Sequence, residues 1–574
     1  MKYKSQFIIG LLIILLLLSG CKGQDINQVG QDLENDIDNS SAHEPDYGGH
    51  MILPITKINS LNPLTINNES YFHFSKLIFE SLFELDESFK PSRDLVESYL
   101  FIGDNLVSIK LKDNVYWHDG EKLTSEDIAF TINTIKYAGN ESTYKKMWKE
   151  YAGSHNYASL SKIVNISIID DLNLEIEFNQ SVSNKLEVLT FPIIPKHRFV
   201  EGVENAQAYK RALEQENYTP IGTGPYKFVS HKKNKSIELE ANENYWKGRP
   251  YISKITGRIL DNEELALTAF EAGQVDLALP VDAEWERLDQ NKNVRMVEFI
   301  SQGYEFLAFN FGRGTTSQYG PGLRKAIAYG INRQAIIENV YLGHATQADL
   351  PIHPNSWMLS DNSNVYGYNV EKAKLELERM GWEDVDSDGY YEDENGRDVS
   401  LRLITNSYNP LRLKTADLIV ENLNHIGIHV LKDYPDHVPD NLTEQAISQQ
   451  WETVRGRITK GDFDIALIGL NLSPVPEISS LFHSNEIKTN SNFIRYKNEN
   501  MDSALAQLSS ANQNNRLESY EKVQSIILED LPYVSLFFKN RALMISNKIK
   551  GEIDPTFYDI YRNIEKWYIP KNLQ

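Results

Sequence analysis

Cys21 is the one cysteine of the 574-residue chain. A lone thiol excludes an internal disulfide and Cys-ligated metal sites, which leaves the chemistry of a single sulfur nucleophile. It follows Leu18-Ser19-Gly20 at the end of an uncharged apolar run from Phe7 to Leu18, with Lys2 and Lys4 ahead of that run. A basic start, a short apolar core and small residues before a cut site make a secretory signal. The core is shorter than the roughly 20 apolar residues that span a bilayer. Its Leu-x-Gly-Cys ending fits a lipobox, where the thiol becomes a thioether to diacylglycerol and the chain is cut before it. Residues 1–20 are therefore expected to be removed and Cys21 to be the lipidation site. The alternative is an ordinary signal peptide with a chance cysteine.

Other residues have spacings that invite chemistry. Asp384, Asp386, Asp388 and Gly389 match positions 1, 3, 5 and 6 of a calcium loop, but Asn395 stands where a bidentate Glu is required. A solvated acidic turn leading into a hairpin is preferred over a calcium site. His425 and His429 are four apart, yet Gly427 between them ends the expected helix, so they need not share a face. Ser142-Thr143-Tyr144-Lys145 and Ser230-His231-Lys232-Lys233 fit Ser-x-x-Lys, and Ser360-Asp361-Asn362 fits a second penicillin-recognising motif; the third, Lys-Thr-Gly, is absent. Gly-x-Ser-x-Gly, His-Glu-x-x-His and phosphate-loop patterns are absent too. No catalytic residue, resident metal or cofactor is expected, and an extracellular serine hydrolase is the weakest alternative.

The net charge of the chain is −22, or −24 once Lys2 and Lys4 leave with residues 1–20. So acidic a surface opposes nucleic acid and anionic lipid, so no nucleic-acid partner is expected. Residues 21–50 read as a flexible tether, rich in Asp, Asn, Gln and Gly without apolar period. Strand and helix patterns then alternate. Val107–Leu111 and Val115–Trp117 read as strands; a helix from Ser125, capped by Thr124, carries Ile128, Ile132 and Ile135 on one face. Val164–Ile169 and Leu172–Phe178 form a hairpin around Asp170-Asp171. Asn369 caps a helix stopped by Gly381. Leu413, Ala416, Ile419 and Leu423 make a helical stripe stopped near Gly427, before a strand at Ile428–Leu431. This interleaving is an α/β pattern whose domains can be discontinuous in sequence.

Eight segments in order resemble the bacterial extracellular solute-binding proteins of family 5, the oligopeptide, dipeptide and nickel receptors of ABC importers. They are Leu61-Asn62-Pro63-Leu64, VYWHDGEKLTSEDIAFTINTI (115–135), PIGTGPYKF (220–228), NENYWKGRPYISKI (242–255), EAGQVDLA (271–278), LRKAIAYGINRQAI (323–336), GDFDIALIGL (461–470) and LPYVSLFF (531–538). Several have a structural reason. Gly222 and Gly224 are expected to permit backbone angles that a Cβ forbids, and Trp117 and Trp246 to be core anchors rather than ligand stackers.

The resemblance implies a two-lobed, periplasmic-binding-protein-like (type II) α/β fold, with an extra domain in the first lobe and a two-segment hinge near Gln302–Phe311 and Tyr533–Asn540. The boundaries it suggests are 51–303 for the N-terminal lobe with the extra domain, 304–535 for the second lobe, and 536–574 for a C-terminal return to the first. It implies a monomeric, non-enzymatic receptor that captures oligopeptides between its lobes. The captured ligand would pass to an ABC permease with ATPase subunits. The receptor would sit on the extracytoplasmic face of the bacterial cell membrane, in a periplasm if an outer membrane exists. An oligosaccharide, nickel or a metal chelate is the alternative ligand. Matching segments suggest Asn67, Glu69, Tyr144, Tyr304, Leu470, Asn471 and Glu477 as ligand-binding residues. In many peptide-binding members an Asp after a Gly-Trp pair meets the peptide ammonium. Here the stretch is Gly469 to Glu477, with Leu470 in place of Trp and Glu477 as its sole carboxylate.

Overall fold

Buried Met51, Leu53 and Ile55 alternate with more exposed residues in β1 (Gly48–Thr56), the period of a half-buried strand. The computed structural model describes residues 45–574 apart from 59, 67, 141–159, 180–181, 215–217, 281–284, 290, 313–317, 440–442 and 477. Tyr47–Gln574 form one unit. β1 starts at Gly48, so the last three residues of the expected tether belong to a strand. It pairs in parallel with Ile252–Leu260, which continues antiparallel through Ser236–Ala241 to Tyr226–Lys232. After β1, Asn68 caps helix α1 (Glu69–Ser75) by accepting the Tyr71 N–H at 2.8 Å.

A second four-stranded sheet runs in the order Val96–Ile102, Leu106–Leu111, Asn173–Phe178, Ile163–Ile168. Its last two strands are the expected hairpin, turned by Asp170, whose carboxylate accepts the N–H groups of Leu172 and Asn173. The expected strand at Val115–Trp117 reduces to one bridge, Tyr116 to Lys122. The Trp117 N–H closes a tight turn onto the Glu121 carbonyl, with Gly120 at φ +95°, so the backbone has no neighbour strand to pair with. The expected helix forms as Ser125–Asn140, but its start is fixed by Asp127, whose carboxylate accepts the Thr124 N–H at 2.9 Å.

The third sheet contains the two longest strands among the described residues, β2 (Val294–Phe309) and β5 (Tyr533–Ser546), and between them in sequence β3 (Ser400–Ile404) and β4 (Ile465–Asn471). The order is Leu277–Ala278, β5, β2, β4, β3, His429–Lys432, with Ala345–Gln347 also paired to β5. β2 runs antiparallel to both neighbours, whereas β3 is parallel to β4 and to His429–Lys432. Between β3 and His429–Lys432 lies α2 (Pro410–His425), whose Leu413, Ala416, Ile419 and Leu423 are buried and which gives way to Gly427 at φ +88°. This is the α/β unit expected from the stripe and its stop.

Three cores result. One joins residues 51–255 with Leu277 and the C-terminal Leu543–Ile569. On either face of the third sheet lie the other two, drawn from residues 304–538. β2 and β5 run through both regions. Where they cross, Ile300 pairs with Asn540 and Tyr304 with Phe538, so Ser301, Gln302 and Gly303 bulge opposite the single residue Lys539.

The GTGPY glycines differ from expectation in their reason. Neither Gly222 nor Gly224 has a positive φ. A Cβ on Gly222 would lie 1.8 Å from the Ile78 carbonyl oxygen, and one on Gly224 2.8 Å from it. Close approach of two backbones, not backbone angle, excludes a side chain. The same motif helps to bind a buried carboxylate: Glu80 accepts from Thr223 Oγ1, Tyr245 Oη and Trp246 Nε1 at 2.7–3.1 Å. Burial, then the nearby Asp94, raises its pKa. Trp117 is buried as expected; Trp246 is partly buried and anchors that network.

Candidate functional site

Lys539 and Arg541 stand two apart on β5 and so point to one side of it. Each meets acid from a different part of the molecule. Arg541 Nη1 lies 3.0 Å from Glu69 Oε1, at the first residue of α1, and Arg541 Nη2 is 3.9 Å from Glu263 Oε1. Glu69 is 45% exposed and its pKa falls to about 2, through its contact with His73, whose Nε2 lies 3.9 Å from Oε1, and, after the opposing effect of burial, through the charge of Arg541. His73 itself is buried, which lowers its pKa. Two acids thus face one guanidinium at this end.

At the other end the balance reverses. Glu305, on β2, is buried and takes a two-pronged contact from Arg412: Nε to Oε2 at 2.9 Å and Nη2 to Oε1 at 2.6 Å. Arg412 Nη1 also donates to Asn406 Oδ1 at 2.7 Å. Lys539 Nζ approaches the same Glu305 Oε1 at 3.7 Å. Two glycines make the space. A Cβ on Gly469 would meet Arg412 Nη2 at 2.5 Å and Glu305 Oε1 at 2.7 Å; one on Gly303 would meet the Lys539 stem at 2.9 Å. Glu305 pairs with Gly469, and Gly303 with Asn471, across the β2–β4 ladder. The cluster sits where β3 and β4 end, beside the N-terminus of α2, the end of a parallel β unit where ligands bind.

Of the residues expected to bind ligand, Glu69 lies at the first end of this charged line. Leu470 and Asn471 end β4, Leu470 partly packed on the core and Asn471 exposed. Tyr304 belongs to the core: fully buried, it stacks on Phe306 with centroids 4.9 Å apart and shares a hydrogen bond with Ser535 Oγ. Strand alternation explains this, because Tyr304 faces away from its neighbour Glu305. Cys21, Asn67, Tyr144 and Glu477 lie outside the described residues. Glu305, Arg412, Lys539 and Arg541 were not foreseen. The signal for them was present as charges interrupting apolar strands, YEFLAFNF around Glu305 and LFFKNRALMI around Lys539.

Elsewhere, the three aspartates 384, 386 and 388 are exposed and lie together. They accept backbone N–H groups of their own turn from Gly389, Asp388 and Tyr390. His425 ends α2 and His429 begins a strand, on either side of Gly427. A cavity of about 420 Å³ opens within the first core, lined in part by Glu80, Glu84, Asp94, Lys247 and Tyr558, and by none of Glu69, Glu305, Lys539 and Arg541. Among the described residues no helix is long and apolar enough to cross a membrane.

The family model for bacterial extracellular solute-binding proteins, family 5, matches residues 90–492. The chain belongs to this family. Its members are extracytoplasmic solute-binding proteins of ABC importers. The oligopeptide-binding protein AppA of Bacillus subtilis is 27% identical over 569 residues, covering 98% of each chain. A solved structure of AppA from Bacillus subtilis with a nonapeptide superposes with a TM-score of 0.61 at 24% identity, covering 92% of this chain and all of that one. NikZ from Campylobacter jejuni with Ni(L-His) gives 0.63 at 23%, covering 90% of this chain and 99% of that one. The expected two-lobed type II fold is therefore the fold of this chain.

Proposed function

We propose that this family 5 protein is the ligand-capturing receptor of an ABC importer and that its ligand is an oligopeptide. The observation that carries the reading is the end-to-end match to an oligopeptide-binding protein, 98% of both chains. The charged line at the β2–β5 crossing supports it, since it offers acid at one end and surplus cation at the other, the chemistry of a peptide's termini. Lobes spanning 51–303 with the C-terminal return 536–574, and 304–535, would close over the ligand about the two crossing strands. Glu477, Asn67 and Tyr144 would complete the wall, with Glu477 or another acid of the cleft meeting the ammonium. The receptor would hang from the membrane by lipid on Cys21, act as a monomer, catalyse nothing and hand its ligand to a permease.

The decisive experiment is mass spectrometry of what co-purifies with the mature domain, released by denaturation. A ladder of peptides is expected. One defined non-peptide species, such as a metal chelate, would replace the peptide reading with another solute on the same fold. If nothing co-purifies, calorimetric titration with an alanine peptide series decides, and absence of binding rejects peptide capture.

A further inference from the structure

Phe538 and Lys539 are neighbours on β5 and so point to opposite faces of the crossing strands. Lys539 faces the charged line. Phe538 faces away from it, into the core that also holds Ile352, Met358 and Tyr520. On this far face the first core meets residues 304–538 a second time. His353 packs on Phe538 with centroids 5.4 Å apart, and on Phe89 and Phe557 of the first core at 4.8 and 5.1 Å. The Ser88 carbonyl accepts the backbone N–H of Trp357 at 2.9 Å. Arg516 lies over the Trp357 ring, 5.3 Å from its centroid, and reaches Glu187, which is flanked by Leu186 and Val188 of the first core. Asn512 Nδ2 lies 3.4 Å from Asp104 Oδ1, beside a gap of about 200 Å³ lined in part by Phe101, Asp104, Lys185 and Gln513.

β2 and β5 carry the chain between the two regions, and their pairing is interrupted at the bulge opposite Lys539. A bend there toward Lys539 brings the regions together on the charged face. The same bend draws them apart on the face of Phe538. Closure over a ligand therefore works against the second contact. The make-up of that contact suits one that parts. Two charges taken from water to pair recover much of their cost when they return to it together. The Trp357 Nε1 is buried with no hydrogen-bond acceptor among the described residues, a donor that water satisfies once the faces separate. Loss of one ionic partner has a different effect, because only separation can then hydrate the charge that remains.

We propose that Arg516 and Glu187 form a clamp across the back of the hinge, which holds the cleft open and lowers the affinity for ligand by the work needed to release it. The proposal rests on the ligand-capture reading above and adds to it a control on closure that lies outside the cleft.

The test begins with the ligand-free mature protein. Small-angle X-ray scattering should give a smaller radius of gyration for Glu187→Gln and for Arg516→Met than for wild type. The double variant Glu187→Leu/Arg516→Met, which keeps the contact without charge, should return to the wild-type value. Calorimetry with alanine tri-, penta- and nonapeptides should follow the same order, with each single variant binding about tenfold tighter than wild type. Near-ultraviolet circular dichroism checks that each variant is folded. Asp104→Cys/Gln513→Cys, on a Cys21→Ser background, leaves the ion pair intact. Joined by a short bis-methanethiosulfonate, these cysteines should hold the far face shut and abolish peptide binding until a reductant cuts the link. Unchanged radius and affinity in the folded single variants, or full binding by the bridged protein, overturns the clamp and leaves peptide capture standing. Weaker binding by the single variants overturns it too, since the pair would then belong to the closed form. If wild type binds none of the peptides, peptide capture falls, and the scattering comparison alone decides the clamp.

Discussion

Arg516 and Glu187 form an ion pair that is sealed from water, with side chains 1% and 0% exposed, across 329 residues of sequence. Arg516 belongs to the helix Arg516–Asp530, which packs with the 304–538 cores, and Glu187 to a short turn between Leu186 and Leu189 of the first core. The Arg516 guanidinium also lies over the rings of Trp357 and Tyr520. Removing one partner would take the opposing charge from the other in a dry environment. Glu187→Leu or Arg516→Met alone should destabilise by about 3–5 kcal/mol. The double variant should recover most of the loss, and urea unfolding followed by fluorescence reads all three. Equal losses in single and double variants would show that packing, not charge, dominates.

Glycine positions divide by what surrounds them. Gly222→Ala drives a methyl into the Ile78 carbonyl and should cost several kcal/mol, or prevent folding. Gly456 lies inside the helix Glu444–Lys460 with open space around its Cβ position. Gly456→Ala should raise stability by about 0.5–1 kcal/mol. Thermal midpoints moving in opposite directions would separate the two.

His353 is buried against Phe89 and Phe557 of the first core and Phe538 of another. Its Nδ1 accepts the Asn355 N–H, and its Nε2 lies 3.2 Å from the Ile300 carbonyl, an arrangement that suits the neutral ring. Burial lowers its pKa to about 4. An unfolded histidine titrates near 6.5, so the unfolded state binds the proton first, and stability present above that pH is lost as pH falls toward 4. At pH 5 the loss amounts to about 2 kcal/mol. His353→Gln, which cannot be charged, should remove this part of the pH dependence. Identical pH slopes in wild type and variant would assign the loss to other groups.

Cys21→Ala should release the protein from membranes, or leave its signal uncleaved as a weak anchor. Fractionation and metabolic labelling with radioactive palmitate read the outcome. Label persisting in the variant would refute lipidation at Cys21.

Glu477→Gln should weaken peptide binding if this carboxylate meets the ligand's ammonium. Affinity unchanged from wild type would move that role to another acid, Glu69 being a candidate in the charged line.

The fold was legible because its signals are local and repeated. The apolar stripe of α2 and the Gly427 stop, or the Asn369 cap that accepts the Lys372 N–H, need only a few neighbouring residues to be read. The site was less so. Glu305, Arg412 and Lys539 come together from three distant segments, and no spacing relates them. Tyr304 shows the limit on a matched segment: the right strand was found, but one residue's shift changes the face, and the ring lies in the core beside a neighbour that lies in the charged cluster. Gly222 shows another limit, since a glycine kept for close approach reads the same in sequence as one kept for its backbone angle.

The shared course of β2 and β5 sets an order on how the chain can become complete. Everything in the cores built on residues 304–538 is supplied by one continuous stretch. The first core instead waits for Leu543, Ile545, Ile553, Tyr561 and Trp567, which come from the last residues made. A chain threaded across a membrane from its N-terminus thus delivers the first half of that core earliest and closes it last. Until the final strand arrives, the core begun by residues 51–255 lacks its C-terminal members. The core that holds β1 is the one that a C-terminal truncation would leave unfinished.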